Sequence, residues 1–367
     1  MLTATVIDTE EEAARIRASW DRLVADASRP FAAPGWTLAW WRHARPEGAE
    51  LRLVAVHDGE DLVGLAPLMA SGRSFETIAG HFSPPTGLVA APGREDEVAA
   101  AVATALAEHP SGPTTLRLED VGGSGSPPAA LLDAWPGKRP WTHATPAAPL
   151  PIIRLDGQDF DAWFATKSSK FRQESRRMRR RLEDAGGSFA LVDAAGAEAA
   201  IEAFVTLHGA RWEDRGGSDA LVPGIRDLLA EALTELGEER LRIYKVEVDG
   251  RIVAVNLLVA AGEEVCGWNS GFDEEWKKYS PSLLLTLYAL EQAAERSEQR
   301  VNLGPGAGAY KDRLADEEGE LGLLTLVPHG SGHLAARLGM ARHQLRWALS
   351  ERLSPESKAR LKRWVRR

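Results

Sequence analysis

A single cysteine, Cys266, stands among 367 residues, so no disulfide can form within the chain and no thiolate cluster can hold zinc. Long apolar runs are equally scarce. The longest nearly uncharged helical stretch, SPSLLLTLYAL at residues 280–290, falls well short of the roughly 20 residues that span a bilayer. The nine histidines include no helical i, i+4 pair flanking a carboxylate, and no metal is expected. The start, MLTATVIDTEEEAARIR, lacks the basic flank and apolar core of a secretory signal. A cytoplasmic location is the expectation.

What is present is the composition of a globular protein, 44% hydrophobic and 26% charged, with length for two or three domains. Charge is unevenly placed. Residues 331–367 carry ten lysines or arginines against Glu351 and Glu356, a balance of +8 that leaves -17 for the first 330 residues of a chain at -9. The densest block, KSSKFRQESRRMRRRL at 167–182, has eight lysines or arginines and one acid in its first fifteen positions. Such a block is the electrostatic footprint of nucleic acid. Here, however, Phe171, Ser175, Met178 and Leu182 share one helical stripe, no aromatic residues interleave the arginines, and the acidic body offers internal partners. DNA binding is therefore not expected. Arg172 and Arg176 remain candidates for holding an anionic acceptor, if they face a cleft.

Along the chain, a strand near Thr3 leads to a helix at Thr9, where Thr9 and Glu12 have capping-box spacing. An aromatic helix, WTLAWWRHA at 36–44, follows a Pro-Gly turn. LRLVAVHDGEDLVGLAPLMA at 51–70 then alternates around Asp58-Gly59 as a hairpin does. LRIYKVEVDGRIVAVNLLVA at 241–260 repeats that design at a shift of 190 residues, with Leu51 falling on Leu241, Val56 on Val246 and Ala70 on Ala260. The chain reads as duplicated. Residues 142–151, THATPAAPLP, read as a linker, and 328–333, PHGSGH, as a second break. Two basic helices separated by Ser354-Pro355 are expected to end the chain, the first with Leu334, Leu338, Ala341, Leu345 and Leu349 on one stripe. Three regions follow: 1–145, 146–330 and a basic helical tail at 331–367.

In the second half, a three-strand meander, a helix entered through a polar loop, a strand and a Gly-rich turn succeed one another. That order resembles the GNAT N-acetyltransferase fold. Four segments, FAAPGWTLAWW, SKFRQESRRMRRRLEDAG, CGWNSGFDEEWKKYSPSLLL and VNLGPGAGAYKDR, resemble more specifically the cellulose-biosynthesis acetyltransferase-like proteins of the CelD/BcsL type. The resemblance implies an α/β fold of tandem GNAT-like domains, each a mixed, mostly antiparallel sheet flanked by helices. It implies acetyl-CoA as donor, bound where the sheet of 146–330 splays open, and an amine or hydroxyl acceptor, a small molecule or glycan precursor.

A coenzyme pyrophosphate needs backbone N–H donors at a helix start and nearby cations. WKKYSPSLLL supplies Lys277, Lys278, Tyr279, Ser280 and Ser282 around Pro281, although relatives usually show Pro-Gly where this chain has Pro281-Ser282. The plainer reading is that Ser280 only caps the helix. Acyl transfer further needs an acid for the departing thiolate and a base for the nucleophile. Tyr310 lies near the position of the tyrosine acid of many GNAT proteins, unless its ring only packs in the turn, and Lys311 is read as a phosphate or acceptor ligand. Asn302 lies where relatives often have aspartate, so the base must come from elsewhere, with His208 and Glu213 as candidates. Trp212, Asn269 and Asn302 are candidates for the acceptor or acyl pocket. The first half lacks the lysines and the Tyr-Lys pair, and is expected to be a non-catalytic buttress.

Two other readings stay open. One is a transferase resembling the FemABX group, which shares a duplicated GNAT-like architecture but uses aminoacyl-tRNA. The other is a binding protein without turnover. The basic tail could lie on an anionic membrane or pack on its own protein.

Overall fold

Two Asp-Gly turns, each flanked by alternating residues, build two long hairpins at the centres of the two halves. A computed structural model describes residues 2–351 except 84, 121–125, 146, 214–215, 307 and 309, and the side chains of 343–351 are also outside the description. The first half contains β1 (Thr3–Ile7), β2 (Glu50–Asp58), β3 (Asp61–Ser71), β4 (Ser74–Thr77), β5 (Val89–Ala90) and β6 (Thr115–Asp120). At the junction lie β7 (Trp141–Ala144) and β8 (Ala148–Arg154), followed by β9 (Gly187–Leu191), β10 (Leu241–Val248), β11 (Arg251–Ala261), β12 (Glu264–Phe272), β13 (Arg300–Asn302) and β14 (Glu317–Val327).

The shift of 190 residues holds in the register. Leu51 faces Met69 as Leu241 faces Val259, Val56 faces Gly64 as Val246 faces Ala254, and both hairpins bulge one step later. The third strands keep the same shift, with Leu68 opposite Thr77 and Leu258 opposite Gly267. Each half then adds a parallel neighbour, β6 beside β4 and β13 beside β12. Asp249 and Gly250 both take positive φ (49° and 77°), as a two-residue hairpin turn requires.

All strands join one mixed sheet in the order β1-β2-β3-β4-β6-β14-β8-β13-β12-β11-β10-β9, with β5 on β3 and β7 on β14. The strand that unites the halves is β14. Its first part pairs with β8 and its last part with β6 and β7. The expected linker at 142–151 is thus two strands. Its prolines deceive because a proline lacks only the N–H; Pro149 and Pro151 contribute carbonyls instead, accepting from Gly306 and Leu303 (2.9 Å each).

Helices cover both faces. The aromatic helix Pro34–Ala44 buries Trp36, Trp40 and Trp41 against helix Ile225–Leu236 of the other half. The arginine block is a helix, Ser169–Asp184, with Phe171, Ser175 and Leu182 buried and Ser168 accepting from the Phe171 N–H at its start. Lys167 pairs with Asp316 and Arg179 with Glu291, both acids from outside the helix, so the acidic body does supply partners to this region. Deeper in the second half, Arg242 and Glu298 form a two-pronged ion pair, 5% and 8% exposed. The tail begins with helix His333–Glu351, on which Leu334 and Leu338 stand exposed. Leu345, Leu349 and the expected second tail helix lie outside the described side chains and residues.

Candidate active site

The pairing of β12 with β13 stops early. Only Glu264 to Cys266 match Arg300 to Asn302; β12 then runs on to Phe272 while the backbone after β13 turns away through Leu303 and Gly304. The gap is a cleft of about 800 Å³. A bulge shapes its wall, because Leu257 faces Asn269 and Leu258 faces Gly267, which leaves Trp268 as the extra residue. The Trp268 indole N–H donates to the carbonyl of Phe82 (2.9 Å), and its ring meets Trp36 and Phe204 at 5.4 Å each. First-half aromatics therefore brace one wall of a second-half cleft.

The floor of the cleft is a helix start. Asp273 caps the turn Glu274–Tyr279, Ser280 adopts a left-handed backbone (φ 53°), and Pro281 opens helix Pro281–Glu295 at the position where a missing N–H costs nothing. Ser280 is the cap residue by position, yet its side chain makes no cap bond. The Ser282 hydroxyl is buried without a partner and lines the cleft, which leaves one polar group to be satisfied by a ligand. Lys277 also lines the cleft, paired with Glu274 at 3.0 Å. Lys278 and Tyr279 do not; they stack on each other, and Tyr279 also stacks on Trp276.

The opposite wall carries Tyr310 and Lys311, which open the short helix Lys311–Leu314. Burial pushes the Tyr310 phenol up from its ordinary value, partly opposed by the nearby Arg211 guanidinium. Burial pulls Lys311 down to about 8, with Asp312 opposing. The Lys311 ammonium donates to the carbonyls of Gly304 (3.0 Å) and Pro305 (3.2 Å).

Helix Ala197–Glu213 forms a third side. His208 is 3% exposed. A carbonyl can only accept, so the 2.8 Å contact with Ser270 O places the proton on Nδ1, and Nε2 accepts from the Ser218 hydroxyl at 2.8 Å. Burial, reinforced by Arg211, lowers the pKa of His208. Close packing of the helix on β12 permits this arrangement, since a Cβ on Gly271 would lie 2.7 Å from the His208 backbone nitrogen. Trp212 and Asn269 line the cleft. Glu213 is exposed at the helix end and does not. Asn302 is buried, and its Oδ1 accepts from the Gly304 N–H (2.9 Å), shaping the exit from β13. Arg172 donates to the carbonyl of Ala165 and Arg176 faces a different cavity. The cleft thus gathers Tyr310, His208, Lys277, Ser280, Ser282, Lys311, Trp212 and Asn269, and leaves out Lys278, Tyr279, Glu213, Asn302, Arg172 and Arg176.

Sequence reasoning missed Arg211. It lines the cleft with its guanidinium 5.2 Å above the Phe272 ring, and its place three residues after His208, on the same helical face, was the available signal. With Arg211, Lys277, Lys311 and Arg313 against Glu174, the lining favours anions.

The first half closes its own counterpart. Glu119, at the end of β6, accepts at one oxygen from the Thr86 N–H (3.1 Å), the Thr86 hydroxyl (2.9 Å) and the Gly87 N–H (3.0 Å). Burial holds this carboxyl above its ordinary value. The backbone donors of this first-half loop are thus filled by an internal carboxylate.

Residues 169–312 match the model of the acetyltransferase (GNAT) domain family. No functionally curated protein matches the chain. Among solved structures, FemX is similar at 11% identity and a TM-score of 0.58, over 83% of this chain and 95% of that one. The C-terminal domain of a putative lysylphosphatidylglycerol synthetase from Agrobacterium fabrum is similar at 14% and 0.56, over 88% and 95%. L-PGS from Bacillus licheniformis is similar at 13% and 0.51, over 74% and 83%. At such identities the likeness is one of fold. With a family match over 169–312 and a splayed-strand cleft in the same stretch, the second half carries a GNAT-fold domain and the protein is an acyltransferase.

Proposed function

We propose that the cleft transfers an acyl group, acetyl in the first instance, from a coenzyme A thioester to an amine or hydroxyl acceptor. The observation that carries this reading is the helix start at Ser280–Ser282, with the unpartnered Ser282 hydroxyl and Lys277, set across the cleft from Tyr310 and Lys311. Helix N-terminal N–H groups with a cation suit the coenzyme's phosphates. Tyr310, kept protonated by burial, gives its proton to the departing thiolate. Lys311 is the better base than His208, whose two ring nitrogens are both engaged. A neutral Lys311 amine can donate its two hydrogens to Gly304 and Pro305 and still offer its lone pair to the acceptor's proton. Arg211 supports negative charge between Tyr310 and His208. The first half, its donors filled by Glu119, braces the wall without catalysis. The four family-like segments support a CelD/BcsL-type acetyltransferase in envelope or exopolysaccharide metabolism. The exposed Leu334 and Leu338 beside Arg337 support peripheral contact of the tail with an anionic membrane.

Thermal denaturation with acetyl-CoA tests the donor. Stabilisation that Lys277→Glu weakens is expected; no stabilisation would remove coenzyme A as the donor. A second donor, aminoacyl-tRNA, is favoured by the fold likeness to FemX and to the two lysylphosphatidylglycerol synthetase structures. Salt-sensitive binding of aminoacyl-tRNA without a response to acetyl-CoA would select it.

A further inference from the structure

Helix Pro281–Glu295 and the arginine helix each turn one face to the cleft and another to a second cavity of about 510 Å³. Phe164, Leu284 and Leu287 give this cavity an apolar floor. Ser175, 2% exposed, lines it with a hydroxyl that has no hydrogen-bond partner. Buried polar groups are ordinarily satisfied, so the floor offers one hydrogen bond to whatever enters.

The charges at the mouth divide into committed and uncommitted ones. Arg179 is held by Glu183 and Glu291, Asp159 caps its helix, and Glu295 accepts from Gln292. Among the described residues Arg176 has no ion pair and only covers the Phe164 ring at 5.6 Å, and Asp161 is exposed with no hydrogen bond or ion pair. Among the described lining residues Arg176 is the one cation without an ion pair and Asp161 the one carboxylate without any hydrogen bond, above an apolar floor with a single hydroxyl. We propose that this cavity binds a small zwitterion with an apolar body, an amino acid or dipeptide with apolar side chains. Its carboxylate meets Arg176, its ammonium meets Asp161, and its side chains cover Leu284 and Leu287. The site is separate from the acyl-transfer cleft and does not rest on the donor assigned there.

Calorimetry of the full chain with L-leucyl-L-leucine tests the proposal. Saturable binding is expected, weakened about tenfold by Arg176→Gln and by Asp161→Asn, both at exposed positions where folding is not at stake. N-acetyl-leucine methyl ester, which has neither charge, is expected not to bind. Leu287→Trp, which fills the cavity, is expected to abolish binding. Acetyl-CoA is expected not to compete. Absence of saturable binding, equal affinity in both charge variants, or full competition by acetyl-CoA would each overturn the proposal.

Discussion

Replacing Lys311 by methionine separates the energetic cost of this residue from its chemistry. The ordinary lysine pKa is 10.5, and burial brings Lys311 to about 8, with Asp312 opposing. That distance corresponds to about 3 kcal/mol, and residual solvent contact discounts it to about 2 kcal/mol. Below pH 8 the side chain is charged in both folded and unfolded states, and the fold bears the full cost. Between about 8 and 10.5 the folded state releases its proton while the unfolded chain keeps it, so stability rises with pH. The methionine variant lacks this rise. It also leaves the carbonyls of Gly304 and Pro305 without a donor, a loss of about 1 kcal/mol each that does not vary with pH. The test is therefore the slope. Urea denaturation of both proteins at several pH values from 7 to 10.5 is expected to show wild type gaining about 2 kcal/mol on the variant. A difference that stays constant across that range would refute the buried-charge argument.

Three further outcomes follow from the site. Turnover with acetyl-CoA should rise as pH passes through about 8 if Lys311 is the base, and a fall over the same interval in the pH–rate profile would return it to anion binding. Tyr310→Phe should slow release of free thiol by about 10²-fold with little change in donor affinity, and unchanged turnover would exclude it as the acid. Glu298→Gln should destabilise the fold by about 3 kcal/mol, because it leaves the buried Arg242 without its counter-charge, and a denaturation midpoint equal to wild type would contradict the pair's burial.

The hairpins were legible because alternation and Asp-Gly turns act over neighbouring residues, and the 190-residue shift carried their register as well as their presence. The parts of the site near two strand–helix junctions, Ser280 and Ser282 at one and Tyr310 and Lys311 at the other, were legible for the same reason. The rest depends on encounters between distant segments. Only its spacing from His208 marks Arg211 as a cleft residue rather than one more surface arginine, and nothing in the first half announces that Glu119 fills the loop at Thr86. The segment at 142–151 looked like a linker because its prolines mask a strand in which they contribute carbonyls and their neighbours complete the pairing.

The position of β14 has a consequence for biosynthesis. The strand that completes the edge of β6 lies about two hundred residues later in the chain, so a ribosome releases the whole acyltransferase domain before the first half can finish its sheet. Until then β6 is an open edge, able to pair with a second nascent chain. Residues 1–145 made alone should keep that edge and self-associate. The first half therefore cannot complete its sheet without the strand that ends the second.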